Sequence, residues 1–107
     1  MNGIVSQLTE RVTIQQAVAT ADAFGGRSIT WSTLASVFAH VQPVKQTTRE
    51  RSLADQANAL AAYRVRMRYR SDVNASMRLQ WRQHQLQIHT LHEADGMLEL
   101  LTYEEHV

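Results

Sequence analysis

The chain has 107 residues with Cys 0, Pro 1 and Gly 4, and 44% of it is apolar. That is one domain's length, so residues 1–107 are expected to share one modest core, which excludes a two-domain enzyme. Without cysteine there is no disulfide framework, no thiol nucleophile and no Cys-ligated zinc, while the redox compartment stays open.

The formal net charge of +1 is a cancellation. Residues 1–62 carry +1, residues 63–82 carry six Arg against Asp72, and residues 83–107 carry Glu93, Asp95, Glu99, Glu104 and Glu105 with no Lys or Arg. Charge this segregated suits an electrostatic role despite the small total. Met1 to Ser6 lacks a charged region followed by an apolar run, and no stretch approaches the ~20 apolar residues of a membrane span. Cytoplasmic synthesis with no membrane partner is therefore expected.

From the N-terminus, Arg11–Val18 alternates, with Val12, Ile14, Gln16 and Val18 on one side, as in a half-buried strand. Gly25-Gly26 supplies a hairpin turn, and Arg27–Trp31 resumes the alternation. Ser32–Pro43 fits both periods, since Leu34, Val37, Phe38 and Val41 have helical spacing while Ala35, Val37, Ala39 and Val41 make a strand face. The β-branched residues and Pro43 favour a strand. Residues 45–62 change character. Thr47 and Thr48 offer capping oxygens before an Ala- and Leu-rich run, which favours a helix with only Leu53 and Leu60 as large apolar groups. Such a helix leans on the domain edge or on a neighbour.

Tyr63–Arg70 is predicted as a strand, with Tyr63, Val65, Met67 and Tyr69 facing one way and Arg64, Arg66, Arg68 and Arg70 the other. Met77–Trp81 and Gln85–Leu91 follow around a tight connection at Gln83-His84. Ala94-Asp95-Gly96 is a turn, and Met97–Tyr103 is the last strand. The expected fold is mainly β: a small antiparallel β-barrel or sandwich of six to seven strands, with one inserted helix or long loop at about 45–62.

The arginine ladder carries two readings. Four guanidinium groups ~6–7 Å apart can track a phosphate backbone. Equally, they can pair with acids on the next strand, and Glu99 and Glu104 are the candidates, within the subunit or across an interface. His84, His89 and His92 lie close in sequence, but on strands positions three apart face opposite ways, so a metal site is not expected. No nucleophile elbow, phosphate loop or His-Glu-x-x-His occurs, so no catalytic residue and no cofactor are assigned. Trp31 is expected in the core, as is Trp81, although aromatic rings can also stack bases.

In order, Leu8-Thr9-Glu10-Arg11-Val12-Thr13-Ile14-Gln15, Gly25-Gly26, Thr30-Trp31, Val37-Phe38-Ala39-His40-Val41-Gln42-Pro43, Glu50, Tyr63 to Arg70, Met77-Arg78-Leu79, Gln87-Ile88 and Leu98-Glu99-Leu100-Leu101 together resemble the bacteriophage head–tail joining family. Its members are also called head closure or head–tail adaptor proteins. The likeness runs from about Leu8 to Tyr103. The chain departs from the family in having Gln83-His84 where a turn glycine is frequent, and Phe38 where Trp is frequent.

The resemblance implies a non-enzymatic virion protein, assembled in the host cytoplasm. It implies a ring between portal and tail that closes the filled head and offers the tail an attachment surface. Its partners would be the portal protein or an adaptor ring, tail terminator or other tail proteins, and copies of itself, with a monomeric isolated subunit. Candidate surfaces are Arg64, Arg66, Arg68 and Arg70, facing a ring neighbour or packaged DNA, and Glu99, Glu104 and Glu105 as the acidic counterpart. Arg49, Arg51, Leu53, Gln56 and Leu60 are the candidate inter-subunit or portal contacts. Two alternatives stand beside this reading. One is a tail completion or terminator protein, and the other is a nucleic-acid-binding barrel using Arg64–Arg70 with Trp81 as a stacking platform.

Overall fold

A computed structural model of the chain describes residues 7–44 and 61–104. Six strands form in chain order: β1 (Glu10–Ala21), β2 (Arg27–Pro43), β3 (Ala62–Arg68), β4 (Arg78–Trp81), β5 (His84–Ala94) and β6 (Met97–Glu104). Every neighbouring pair is antiparallel in the order β1-β2-β3-β6-β5-β4, and β4 returns to β1, so the sheet closes into a barrel. Closure removes the open edges that a six-stranded sheet would otherwise present to other chains. The expected helix at 45–62 lies outside the described residues, except that Ala62 already opens β3.

Alternation places the core. Val12, Ile14, Ala39, Val65, Met67, Leu79, Leu86, Ile88, Leu98 and Leu100 point inward and are buried. The buried Thr102 hydroxyl lies among them and donates to the Tyr63 carbonyl at 3.0 Å, which satisfies it.

Ser32–Pro43 is strand throughout, continuous with Arg27–Trp31 as one 17-residue element. Pairing decides between the two periods, because Ala39 to Pro43 bonds β3 while Arg27 to Ala39 bonds β1. The expected inward row of β1 is cut short. β2 carries one extra residue, Leu34, opposite the step from Ile14 to Gln15, and beyond Gln15 β4 no longer covers β1, so Gln16 and Val18 do not join Val12 and Ile14 in the core. β4 reaches only Val12 to Gln15 of β1, and β3 only Ala39 to Pro43 of β2. Beyond those limits β1 and β2 continue as a two-stranded ribbon with no third strand among the described residues. Its tip is held by Asp22, whose Oδ1 accepts from the backbone N–H of Phe24 at 2.9 Å and of Gly26 at 2.8 Å. Gly25 supplies the positive φ of 80° in that loop.

Two further boundaries differ from the sequence expectation. The β4–β5 turn is Arg82-Gln83, because His84 pairs with Trp81 inside the ladder. Arg82 takes φ 55° in that turn, a conformation that glycine favours. β3 ends at Arg68, so Tyr69 and Arg70 leave the ladder for the loop that follows. Trp31 stands on the ribbon side, half-buried beneath the Arg78 guanidinium 4.2 Å from its ring centre, whereas Trp81 is the core tryptophan.

Candidate functional site

The outer face of β3 carries Arg64, Arg66 and Arg68, and antiparallel register determines what each meets. Arg66 stands opposite His40 on β2 and Glu99 on β6, and Glu99 stands opposite His92 on β5. The Arg66 Nε and NH2 groups both donate to Glu99 Oε2, at 3.0 and 2.6 Å, and His92 Nε2 lies 3.6 Å from Oε1. These hydrogen bonds hold the Glu99 carboxyl below its ordinary range against the opposing effect of burial, and the nearby Arg66, His92 and Arg64 charges add to the lowering.

The ladder is therefore divided. Arg66 is neutralised within the subunit, and Arg70, off the strand, makes a two-bond pair with Asp72 at 3.1 and 2.9 Å. Arg64 and Arg68 remain exposed, with no ion-pair partner among the described residues. β3 ends at Arg68, so three of the four arginines lie on one strand.

The acidic group divides in the same way. Glu99 faces outward, but Glu104 follows the inward parity of Leu100 and Thr102 and lies at the barrel mouth, bonded to His84 Nδ1. There His84 stacks on Trp81 at 5.2 Å, and Tyr63 meets Trp81 edge-on at 5.4 Å. The Trp81 indole donates to Glu10 Oε1 at 2.9 Å, and Arg82 binds the same oxygen while lying 5.0 Å over the indole ring. Trp81 is thus a buried plug of the mouth, not a platform for bases. Glu104 is part of that plug, not of an outer acidic surface. Glu105, Arg49, Arg51, Leu53, Gln56 and Leu60 lie outside the described residues.

The three clustered histidines separate: His84 points into the mouth, His89 packs edge-on against Tyr103 at 5.3 Å, and His92 faces Glu99. Among the described residues no three His, Asp or Glu side chains gather as metal ligands.

Sequence reading missed a third surface. Arg11 and Phe38 are register partners on the outer face, with the guanidinium 4.4 Å from the ring centre. Extending the β2–β3 register by one step sets Arg68 on the other side of Phe38. Leu8, Val37, Phe38, Arg68, Tyr69 and Arg70 line an open groove of about 420 Å³. The signal was present in the exposed parity of Phe38, but a lone aromatic on a strand also fits a core position.

By comparison with known proteins, this closed antiparallel barrel is that of a structural protein of the phage head. Residues 5–104 match the model of the phage head completion protein family, and the chain belongs to that family. Protein SF1141 from Shigella flexneri 2a, solved in solution, is 28% identical with a TM-score of 0.70, over 97% of this chain and 96% of that one. A chain from the virion of the native gene transfer agent particle shares the fold at 20% identity and a TM-score of 0.64, covering 94% of this chain and 96% of that one. The phage-like element PBSX protein xkdH from Bacillus subtilis does so at 11% and 0.54, covering 90% and 93%. No curated protein sequence matches the chain.

Proposed function

We propose that this protein forms a ring between portal and tail, closes the DNA-filled head and presents the tail its attachment surface, without catalysis. The family match over residues 5–104 carries this reading, since head completion names the stage of assembly. The barrel supports it physically. A closed ring of identical subunits repeats one head-to-tail contact, which requires two different surfaces on each subunit. An outer face with exposed Arg64 and Arg68, a groove beside Phe38 and a projecting ribbon meet that requirement. The Val44 N–H donates to the Ala62 carbonyl at 2.9 Å, so the described residues on either side of 45–60 lie side by side on the barrel.

The test is assembly without this protein. Heads should fill with DNA yet remain tailless and nuclease-sensitive, with free tails accumulating beside them in electron micrographs. Tailed, nuclease-resistant particles would overturn the proposal. Tailless heads that keep their DNA protected would move the role from head closure to tail attachment alone.

A further inference from the structure

Two exposed apolar features lie on the same pair of strands and cannot meet within one molecule. One is a knob. Phe24 is 96% exposed at the ribbon tip, where the two Asp22 hydrogen bonds hold its backbone in a single arrangement. The other is the groove, whose floor includes Phe38 (52% exposed) and Tyr69 (49%). From Arg27 to Phe38 the chain is one continuous strand, so at ~3.3 Å per residue roughly 35 Å separate tip and groove.

We propose that Phe24 of one copy docks in the groove of a second copy, between Phe38 and Tyr69, making the β1–β2 ribbon the arm that links each subunit to the next. The proposal rests on the ring reading and names the surfaces that reading requires.

Three observations select a second copy as the occupant. The features are opposite in shape, an isolated aromatic ring against an open apolar hollow, and a buried aromatic side chain covers ~150–250 Å². They offer one complementary charge pair, because Asp22, which with Arg27 flanks the knob, can meet Arg68, which lines the groove with no ion-pair partner among the described residues. They also occur at equal number on every chain, so one repeated contact covers both and leaves neither exposed except at an open end. A contact between unlike surfaces closes only by rotation, which is the geometry of a ring. The fixed loop lowers the ordering cost of inserting the ring, as expected of an anchor residue.

Because the chain has Cys 0, engineered thiols report this contact directly. Full-length protein carrying both A23C beside the knob and R70C on the groove wall, assembled into particles and mildly oxidised, should give a ladder of covalent multimers on a non-reducing gel. A23C alone and R70C alone should give none. Phe24→Ser should leave the thermal melt of the isolated chain unchanged, since the ring touches nothing there, yet lower self-association at least ~10-fold, as loss of an anchor does.

Self-linking of either single variant would mean a symmetric contact and would overturn the proposal, as would linkage of A23C to another virion protein. No ladder in particles that contain many copies of the chain would overturn the docking and leave the ring reading standing. Particles with one copy or none would remove both.

Discussion

Arg66 on β3 and Glu99 on β6 are register partners 33 positions apart in the chain, and two guanidinium N–H groups converge on one carboxylate oxygen. Their side chains keep 37% and 21% of their exposure, so the pair belongs to the class of half-exposed ion pairs that contribute roughly 0–1 kcal/mol. Its larger consequence is electrostatic. Glu99 removes the central charge of the basic row and leaves Arg64 and Arg68 on either side. Glu99→Gln should therefore lower stability by at most ~1 kcal/mol in urea unfolding. It should also strengthen retention on DNA at low salt and steepen the salt dependence by about one phosphate contact. Unchanged DNA retention would show that the outer row does not act as a cationic surface.

Stability should fall in acid. The Glu99 carboxyl is lowered chiefly by its hydrogen bonds from Arg66, that of Glu10 by the Trp81 indole and then Arg82, and that of Asp72 by Arg70. A carboxylate whose folded value lies below its unfolded value stabilises the fold above the unfolded value and loses that contribution as pH drops through the folded one. Urea midpoints should thus be flat near about pH 7 and decline below about pH 4. Glu99→Gln should remove part of that slope, and a midpoint that rises on acidification would contradict the pairing.

Arg82 occupies a positive-φ position without being glycine. Arg82→Ala and Arg82→Gly both delete the bond to Glu10 and the cover over Trp81, so the difference between them isolates the backbone. Arg82→Gly should be more stable than Arg82→Ala by ~1 kcal/mol. Equal stabilities would mean that the turn carries no conformational cost.

Neighbouring leucines on β6 test the inward and outward parity. Leu100 is fully buried and Leu101 faces outward beside the polar cleft of Arg64 and Thr90. Leu100→Ala should cost ~2–5 kcal/mol, and Leu101→Ala less than ~1.5 kcal/mol. Comparable losses would require a different register for β6.

Trp81→Phe keeps the ring in the mouth but deletes the N–H that Glu10 accepts. Trp81→Phe should lower stability, and the loss should shrink in acid, because Glu10 is left with Arg82 as its remaining donor in that cluster. It should also remove the buried, blue-shifted component of the tryptophan emission and leave that of half-buried Trp31. An unaltered spectrum would contradict the placement of the two indoles.

Much of the barrel was legible in the residues. Val65 and Met67 against Arg64 and Arg66, and Leu98 and Leu100 against Glu99, are alternations that strand geometry converts directly into inside and outside. The site was less legible. β4 stops at Gln15 of β1 and leaves Gln16 and Val18 outside the core, and no local pattern marks that limit. Phe38 and Trp31 have core composition yet stand outside the core, Phe38 by its outward parity beside buried Ala39 and Trp31 by its place on the ribbon beyond the reach of β4. Glu104 was grouped with Glu99 by charge, but two strand positions set one carboxylate outside the barrel and the other in its mouth.

The sequence by itself determined the class: a cysteine-free series of alternating strands, with a basic row and an acidic end. Those are local properties, since side-chain parity and charge belong to each residue wherever its strand is placed. Only the tertiary structure decided that β3 lies against β6, that β4 closes onto β1 and that the β1–β2 ribbon extends past both. Those choices rest on pairings between residues tens of positions apart, and they determine which arginine is neutralised and which aromatic ring is left for a neighbour.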